Sequence, residues 1–321
     1  MIAGGNAWDG TMGASVRGRH IGSRLGTGSM LWSCSEQGGA MRRSLAGLAA
    51  AMVLGVLGVL GAPVAGAAVA HVTAGSFNRA NFTNPTQITN PYLPLAVGKQ
   101  YVFDGVVDGV PHKVIFTVTG LTKVINGVKT RVVWDQDLRA GELVEEELAF
   151  FAQDKFGTVW LLGEYPEEYE DEEFVGAPSA WAAGIDGARP GIAMQATPIV
   201  GQPEYSQGFA PGVEFDDRAQ VIKTGVNNVC VPAGCYSNVV VIKERNTFEP
   251  GVFQLKYHAP GVGVVLIQPG GQSGGEELKL TQVKTLTGAA LAEANAQAYR
   301  LDLRSYIYSD VFRQTPRVQA G

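Results

Sequence analysis

The sequence is short of the groups that most often do chemistry. Four histidines and three cysteines stand among 321 residues. No S-x-x-K, H-E-x-x-H, C-x-x-C or phosphate-binding loop occurs, so the activities built on those motifs have no signature here. Basic charge is also scarce. From His71 onward, 20 Lys and Arg face 28 Asp and Glu, a balance that argues against nucleic acid or an anionic membrane surface as the partner. A strict internal repeat is absent as well.

What is present begins with an export signal. Met41-Arg42-Arg43 leads into an apolar run from Leu45 to Gly61, then Pro63 and small residues ending at Ala70. A short basic region, a run of that length and an A-x-A site describe a secretory signal peptide over 41–70. Residues 1–40, rich in Gly, Ser and Arg without apolar periodicity, read as an extension upstream of a true start at Met41. Cleavage falls before Ala68 or before His71. In the second case the His71 amine and ring would chelate copper together with His112 or His258, neither of which the sequence brings near residue 71. The processed chain is expected in the periplasm, the cell envelope or outside, and not as an integral membrane protein. Cysteine usage agrees: Cys34 precedes the signal, and Cys230 and Cys235 in NVCVPAGCYS suit a disulfide across a tight turn in an oxidising compartment.

The chain after the signal reads as mainly β. An Asn-, Thr- and Pro-rich extended arm (71–98) precedes a β-rich domain (99–286), and a C-terminal helix and tail complete the chain (287–321). Short β-branched and aromatic runs alternate with turn signals such as Asn126-Gly127 and Ala140-Gly141. This predicts an antiparallel meander forming an open or half-closed barrel or sandwich. Residues 165–215 lack periodicity and are expected to be a long irregular lid. Leu291, Ala294, Ala298 and Leu301 mark the apolar face of the helix.

GEYPEEYEDEEF (163–174) places seven carboxylates in twelve residues. If Asp154 and Gly157 close a turn, Phe151 faces Trp160 and Glu147 faces Glu164, all on one side of the sheet. Like charges opposed beside an apolar face raise one pKa. Such a pair binds a cation, shares a proton, or lies at the wet end of the sheet. The acids from Glu167 onward lack calcium-loop spacing and read as a solvated loop. No cofactor is expected, a loosely held Ca2+ in that loop excepted. In GIDGARPG, Arg189 either pairs with Asp186 or holds a ligand carboxylate or phosphate. Trp181, just before it, either walls a pocket or anchors the loop.

The stretches FFAQDKFGTVWLLGE, SAWAAGIDGARPGIAMQATPIVG and KYHAPGVGVVLIQ resemble those of a family of exported bacterial proteins of unknown function, over most of the chain from Asn90 on. The long meander ending in an APGVG strand is similar in architecture to periplasmic half-barrels of the lipoprotein-carrier kind, which bind acyl chains in an apolar concavity. That likeness concerns architecture only.

Three functions are consistent with these features. The leading one is a secreted protein that binds a small apolar or lipid-like ligand on a concave face carrying Trp134, Phe151 and Trp160. The second is a carboxylate-dependent enzyme or cation site at Glu147 and Glu164. The third is an interaction protein of the cell envelope.

Overall fold

The computed structural model describes residues 76–270 and 275–321; the segment 1–40, the signal at 41–70, His71 and Cys34 lie outside the described residues. The chain after the arm is almost entirely strand. Lys99–Val107 (β1), Val110–Ile125 (β2), Val128–Arg139 (β3), Glu142–Gln153 (β4) and Val159–Glu170 (β5) form a meander. Two-residue turns join the first four: Asp108-Gly109, Asn126-Gly127 and Ala140-Gly141 all have positive φ at both residues, the backbone that matches the twist of paired strands. Glu173–Gly176 (β6) and Trp181–Ala182 (β7) are short strands laid on β5. Next come Arg189–Met194 (β8), Tyr205–Ala210 (β9), Phe215–Val226 (β10), Val229–Val231 (β11), Gly234–Tyr236 (β12), Val239–Asn246 (β13), Phe253–Ala259 (β14), Gly263–Gly270 (β15) and Glu276–Thr285 (β16). The helix Gly288–Tyr308 (α1) and the two-residue strand Gln319–Ala320 (β17) end the chain.

Twelve of these strands close on themselves. The order runs β1, β16, β15, β14, β13, β10, β9, β8, β5, β4, β3, β2, and β2 returns to β1. Each neighbouring pair is antiparallel. The sheet is thus a closed barrel rather than the open or half-closed one expected, because β1 uses both of its edges: Tyr101 pairs with Val283 on β16 and with Phe116 on β2. Closure removes the edges that an open sheet would have to protect. Among the described residues, no helix is long and apolar enough to cross a membrane.

The segment 165–215 supplies two of the barrel's strands. β8 and β9 carry no apolar alternation; what allows them to pair is glycine. A Cβ on Gly191 would lie 1.9 Å from the carbonyl carbon of Gln207 on β9, so only a bare backbone fits there.

The arm closes one end of the barrel. The Asn90 amide donates to the carbonyls of Gly157 and Gln195 at 2.8 and 3.0 Å, and the backbone N–H groups of Thr89 and Asn90 donate to Gln153 Oε1. Gly261 N–H donates to Pro91 O at 2.7 Å. These bonds stitch the arm to the β4–β5 and β14–β15 turns.

Helix α1 lies on the outer face of β2, β3 and β4. Ala294, Ala298 and Leu301 are buried there, as the helical spacing predicts, and Phe312 packs on Phe150 and Tyr165. Two charged contacts fix its position. Lys123 Nζ meets Asp302 Oδ1 at 2.6 Å, with Tyr306 Oη and Pro316 O completing its partners. Both side chains are fully buried, and such a pair persists only when its remaining groups are also bonded. Glu167, also fully buried, accepts from Tyr165 and Tyr169 hydroxyls and from Arg304. The acidic run therefore does not start as a wet loop: β5 extends to Glu170, and Glu167 is a docking point for the helix. Cys230 and Cys235 are disulfide-bonded across the β11–β12 hairpin.

Candidate functional site

Alternation along the strands divides the barrel's inner surface into two walls. On β1 and β2, Tyr101 stands opposite Phe116 and Phe103 opposite Val114, and with Ile267 of β15 and Leu278 of β16 they form an apolar wall. One strand further on the chemistry changes. Phe116 pairs with Asp135, and Asp135 with Glu147; Val114 pairs with Asp137, and Asp137 with Glu145. Glu164 of β5, Asp217 of β10 and Glu244 of β13 continue this acidic wall. Between the walls lies a cavity of about 420 Å³, floored by Leu93, Pro94 and Leu95 of the arm. Its lining includes the exposed Glu214, which marks the side that meets solvent.

Lys256 of β14 is the one lysine on this lining, and it is committed to Glu244 at 2.6 Å. Arg245 also borders the cavity but forms an ion pair with Glu204. His112 is buried on β2, on the same face as Val114 and Phe116, its Nε2 at 2.5 Å from Asp137 and its Nδ1 at 3.3 Å from Glu276.

The other acids lie in an environment that resists ionisation. Burial, then the charges of neighbouring carboxylates, holds Asp135, Glu145 and Glu147 well above the usual range. What surface these side chains keep faces the cavity, so enclosure and partial accessibility describe the same place. Burial lifts Asp217 to about 8, reinforced by Glu164 and Glu244. Glu164 is raised by burial against the opposing effects of a Trp181 hydrogen bond and the Lys256 charge. Glu244 goes the other way: burial would raise it, but the Lys256 charge and hydrogen bond outweigh that and hold it below its ordinary value. Burial pushes His258 down to about 4. The ring is then neutral, and with Nδ1–H donating to Tyr92 O at 3.1 Å, Nε2 is left as a bare acceptor.

The residues singled out in sequence fall in different places. Glu147 and Glu164 both line the cavity, but in another register: Glu147 pairs with Pro166 and Glu164 with Ala149. Near the turn the strands are offset by one residue from the expected pairing, with Ala152 opposite Trp160 and Phe151 opposite Leu161. That offset alone would send the two acids to opposite faces. An irregularity between Ala149 and Phe151 adds a second residue and returns them to one face.

Trp181 is buried, stacks on Phe215 and donates to Glu164 at 2.9 Å, so it backs the wall and orients one acid. Trp160 bonds Asp154 and packs on Phe77 and Phe82 of the arm. Trp134 donates to Glu146 beside the helix, and Phe151 is buried in the core. Trp134, Phe151 and Trp160, expected on the concave face, do not line the cavity. Arg189 is exposed, with its guanidinium 4.2 Å from the centre of the Phe209 ring.

The acids of this wall that sequence reading missed are Asp135, Asp137, Glu145, Asp217 and Glu244. A signal existed: W-D-Q-D and E-E-E are spaced by two across the Ala140-Gly141 turn, which puts acids of both strands on one face.

Enclosed carboxylates with raised pKa values can accept a cation, or donate a hydrogen bond when protonated. Among the described residues, no three His, Cys, Asp or Glu side chains converge to hold a metal ion.

No family model matches the chain, and no curated protein matches it. Among solved structures, it is similar to a protein from Bacteroides fragilis described as exported, with a YmcC-like fold, at 12% identity and a TM-score of 0.34. That match covers 60% of this chain and 99% of the other. It is also similar to a protein from Parabacteroides distasonis described as a lipoprotein, at 13% identity and a TM-score of 0.33, over 60% of this chain and 98% of that one.

Proposed function

We propose that the protein is an exported carrier or sensor that holds a small, partly apolar molecule inside its barrel. One observation carries this reading: a cavity of about 420 Å³ whose walls are Tyr101, Phe103 and Phe116 on one side and carboxylates on the other. The volume is within the roughly 300–1,000 Å³ of small-molecule sites. A strand pattern that needed only a packed core would fill the space, and the same inward faces do so nearer the arm with Val133, Ala149, Ala219 and Ile242, all buried. The Cys230–Cys235 disulfide and the signal-like 41–70 segment support export. The apolar contacts assigned from sequence to Trp134, Phe151 and Trp160 pass in this reading to the aromatics of β1 and β2.

A second reading, carboxylate-dependent catalysis, draws support from Asp135 and Glu147, paired across β3 and β4 with both pKa values raised. Loss of a measured hydrolytic activity in Glu147→Gln would favour it.

The binding reading is tested by filling the cavity. Val114 faces it with part of its side chain accessible, so Val114→Trp adds an indole where a ligand would sit. Native mass spectrometry of the exported protein is expected to show a bound mass, released on denaturation, that Val114→Trp loses at least tenfold while keeping its circular dichroism. The same bound mass in both proteins would place the ligand elsewhere.

A further inference from the structure

We infer that the ligand is an organic cation: an ammonium group on an aliphatic or aromatic body, with the charge among Asp135, Glu147, Glu164 and Asp217 and the body against Phe103 and Phe116. The inference rests on the binding reading above and names its ligand class.

The acids are opposed in a way the fold does not require. Asp135 directly faces Glu147, and Asp137 faces Glu145. Like charges at such positions destabilise a sheet, and enclosure strengthens the repulsion. The cationic side chains on the lining are already committed: Lys256 to Glu244, and Arg245 to Glu204. Among the described residues, no Lys or Arg forms an ion pair with Asp135, Glu147, Glu164 or Asp217.

Uncommitted acceptors beyond the carboxylates point the same way. His258 and Tyr205 are 3% and 7% exposed. His258 shares the inward face of β14 with the cavity-lining Lys256, and Tyr205 pairs with Ala219 on the inward face of β10. His258 Nε2 and the Tyr205 hydroxyl have no hydrogen-bond partner, and neither do Asp135 Oδ1 and Asp217 Oδ1. Buried polar atoms are nearly always bonded, so Asp135 Oδ1 and Asp217 Oδ1, which belong to the cavity lining, call for a partner. His258 Nε2 only accepts, the Tyr205 hydroxyl accepts or donates, and the two carboxyls accept when ionised and donate when protonated. With its carboxyls ionised, the lining is rich in acceptors, which suits a donor that is also positive.

Geometry then separates an organic cation from a metal ion. The acids are spread over strands β3, β4, β5 and β10, and among the described residues no three ligating groups converge. The space of about 420 Å³ is far larger than one ion, and one of its two walls is apolar. An ammonium satisfies the spread acceptors through several N–H donors, and its body covers the aromatics.

The test is calorimetric titration of the full chain at neutral pH with four probes: octylammonium, 1-octanol, octanoate and calcium chloride. The expected result is that octylammonium binds at least tenfold more tightly than 1-octanol, with no binding of octanoate or calcium. The double variant Asp135→Asn, Glu147→Gln is expected to lose that preference and, relieved of repulsion, to melt at a higher temperature without ligand. Equal binding of octylammonium and 1-octanol overturns the cation and leaves the binding reading standing. Calcium binding without octylammonium binding overturns it in favour of a metal. No binding of any probe overturns both. If the double variant fails to fold, the ranking of probes on the unaltered protein decides the matter.

Discussion

At the scale of single residues, the barrel interior holds carboxylates under conditions that make them costly when ionised. Asp217 illustrates the effect on stability. Its pKa is about 8 in the folded protein against an ordinary 3.8, raised by burial and by Glu164 and Glu244. Between those values the folded state holds a proton that the unfolded chain releases, so stability falls as pH rises. His258, pushed down to about 4, acts with the opposite sign below its ordinary 6.5. The window from pH 6.5 to 8 therefore isolates the acids. Urea denaturation across it is expected to show stability declining with pH, with a shallower decline in Asp217→Asn; equal slopes would contradict the assignment. Residues of this kind were only partly legible in sequence. Glu164 stood out in a dense acidic run, but Asp217 in EFDDRAQ looks like any surface acid. Its inward position depends on which face of β10 closes the barrel, and a single strand does not carry that information.

At the scale of elements, legibility tracked turn chemistry. Asn126-Gly127 announces a β-hairpin because its positive φ values suit few other residues, Gly141 marks the next turn, and the helix announces itself by spacing. β8 and β9 gave no such signal. Their pairing rests on missing side chains at Gly191 and Gly208, where an added Cβ would meet backbone of the neighbouring strand or the ring of Phe215. Gly191→Ala is expected to destabilise the protein by at least about 1–3 kcal/mol, the usual cost of overpacking. Gly212→Ala, where an added Cβ meets nothing within 4 Å, should change stability by less than about 0.5 kcal/mol. Denaturant midpoints of the two variants check this, and equal effects would mean that the close approach of β8 and β9 does not limit the fold. The β4–β5 irregularity belongs to the same class. The extra residue is on β5, where Leu162 and Gly163 oppose Phe150, and it decides whether Glu147 and Glu164 share a face; the glycine is its one mark in the sequence.

At the scale of the whole molecule, closure converts a meander into a container. An open sheet would leave Asp135, Glu147 and Asp217 in water, where their charges are screened and titrate in the ordinary range. In a closed twelve-stranded barrel, with the arm across one end, the same acids face an apolar wall across an enclosed space. The most direct measurement is a crystal structure of the protein purified from its own host without refolding. Electron density for a bound organic molecule is expected inside the barrel, between Phe116 and the Asp135–Glu147 pair. A barrel interior that holds ordered water alone, with the carboxylates bonded to it, would contradict a ligand-binding container.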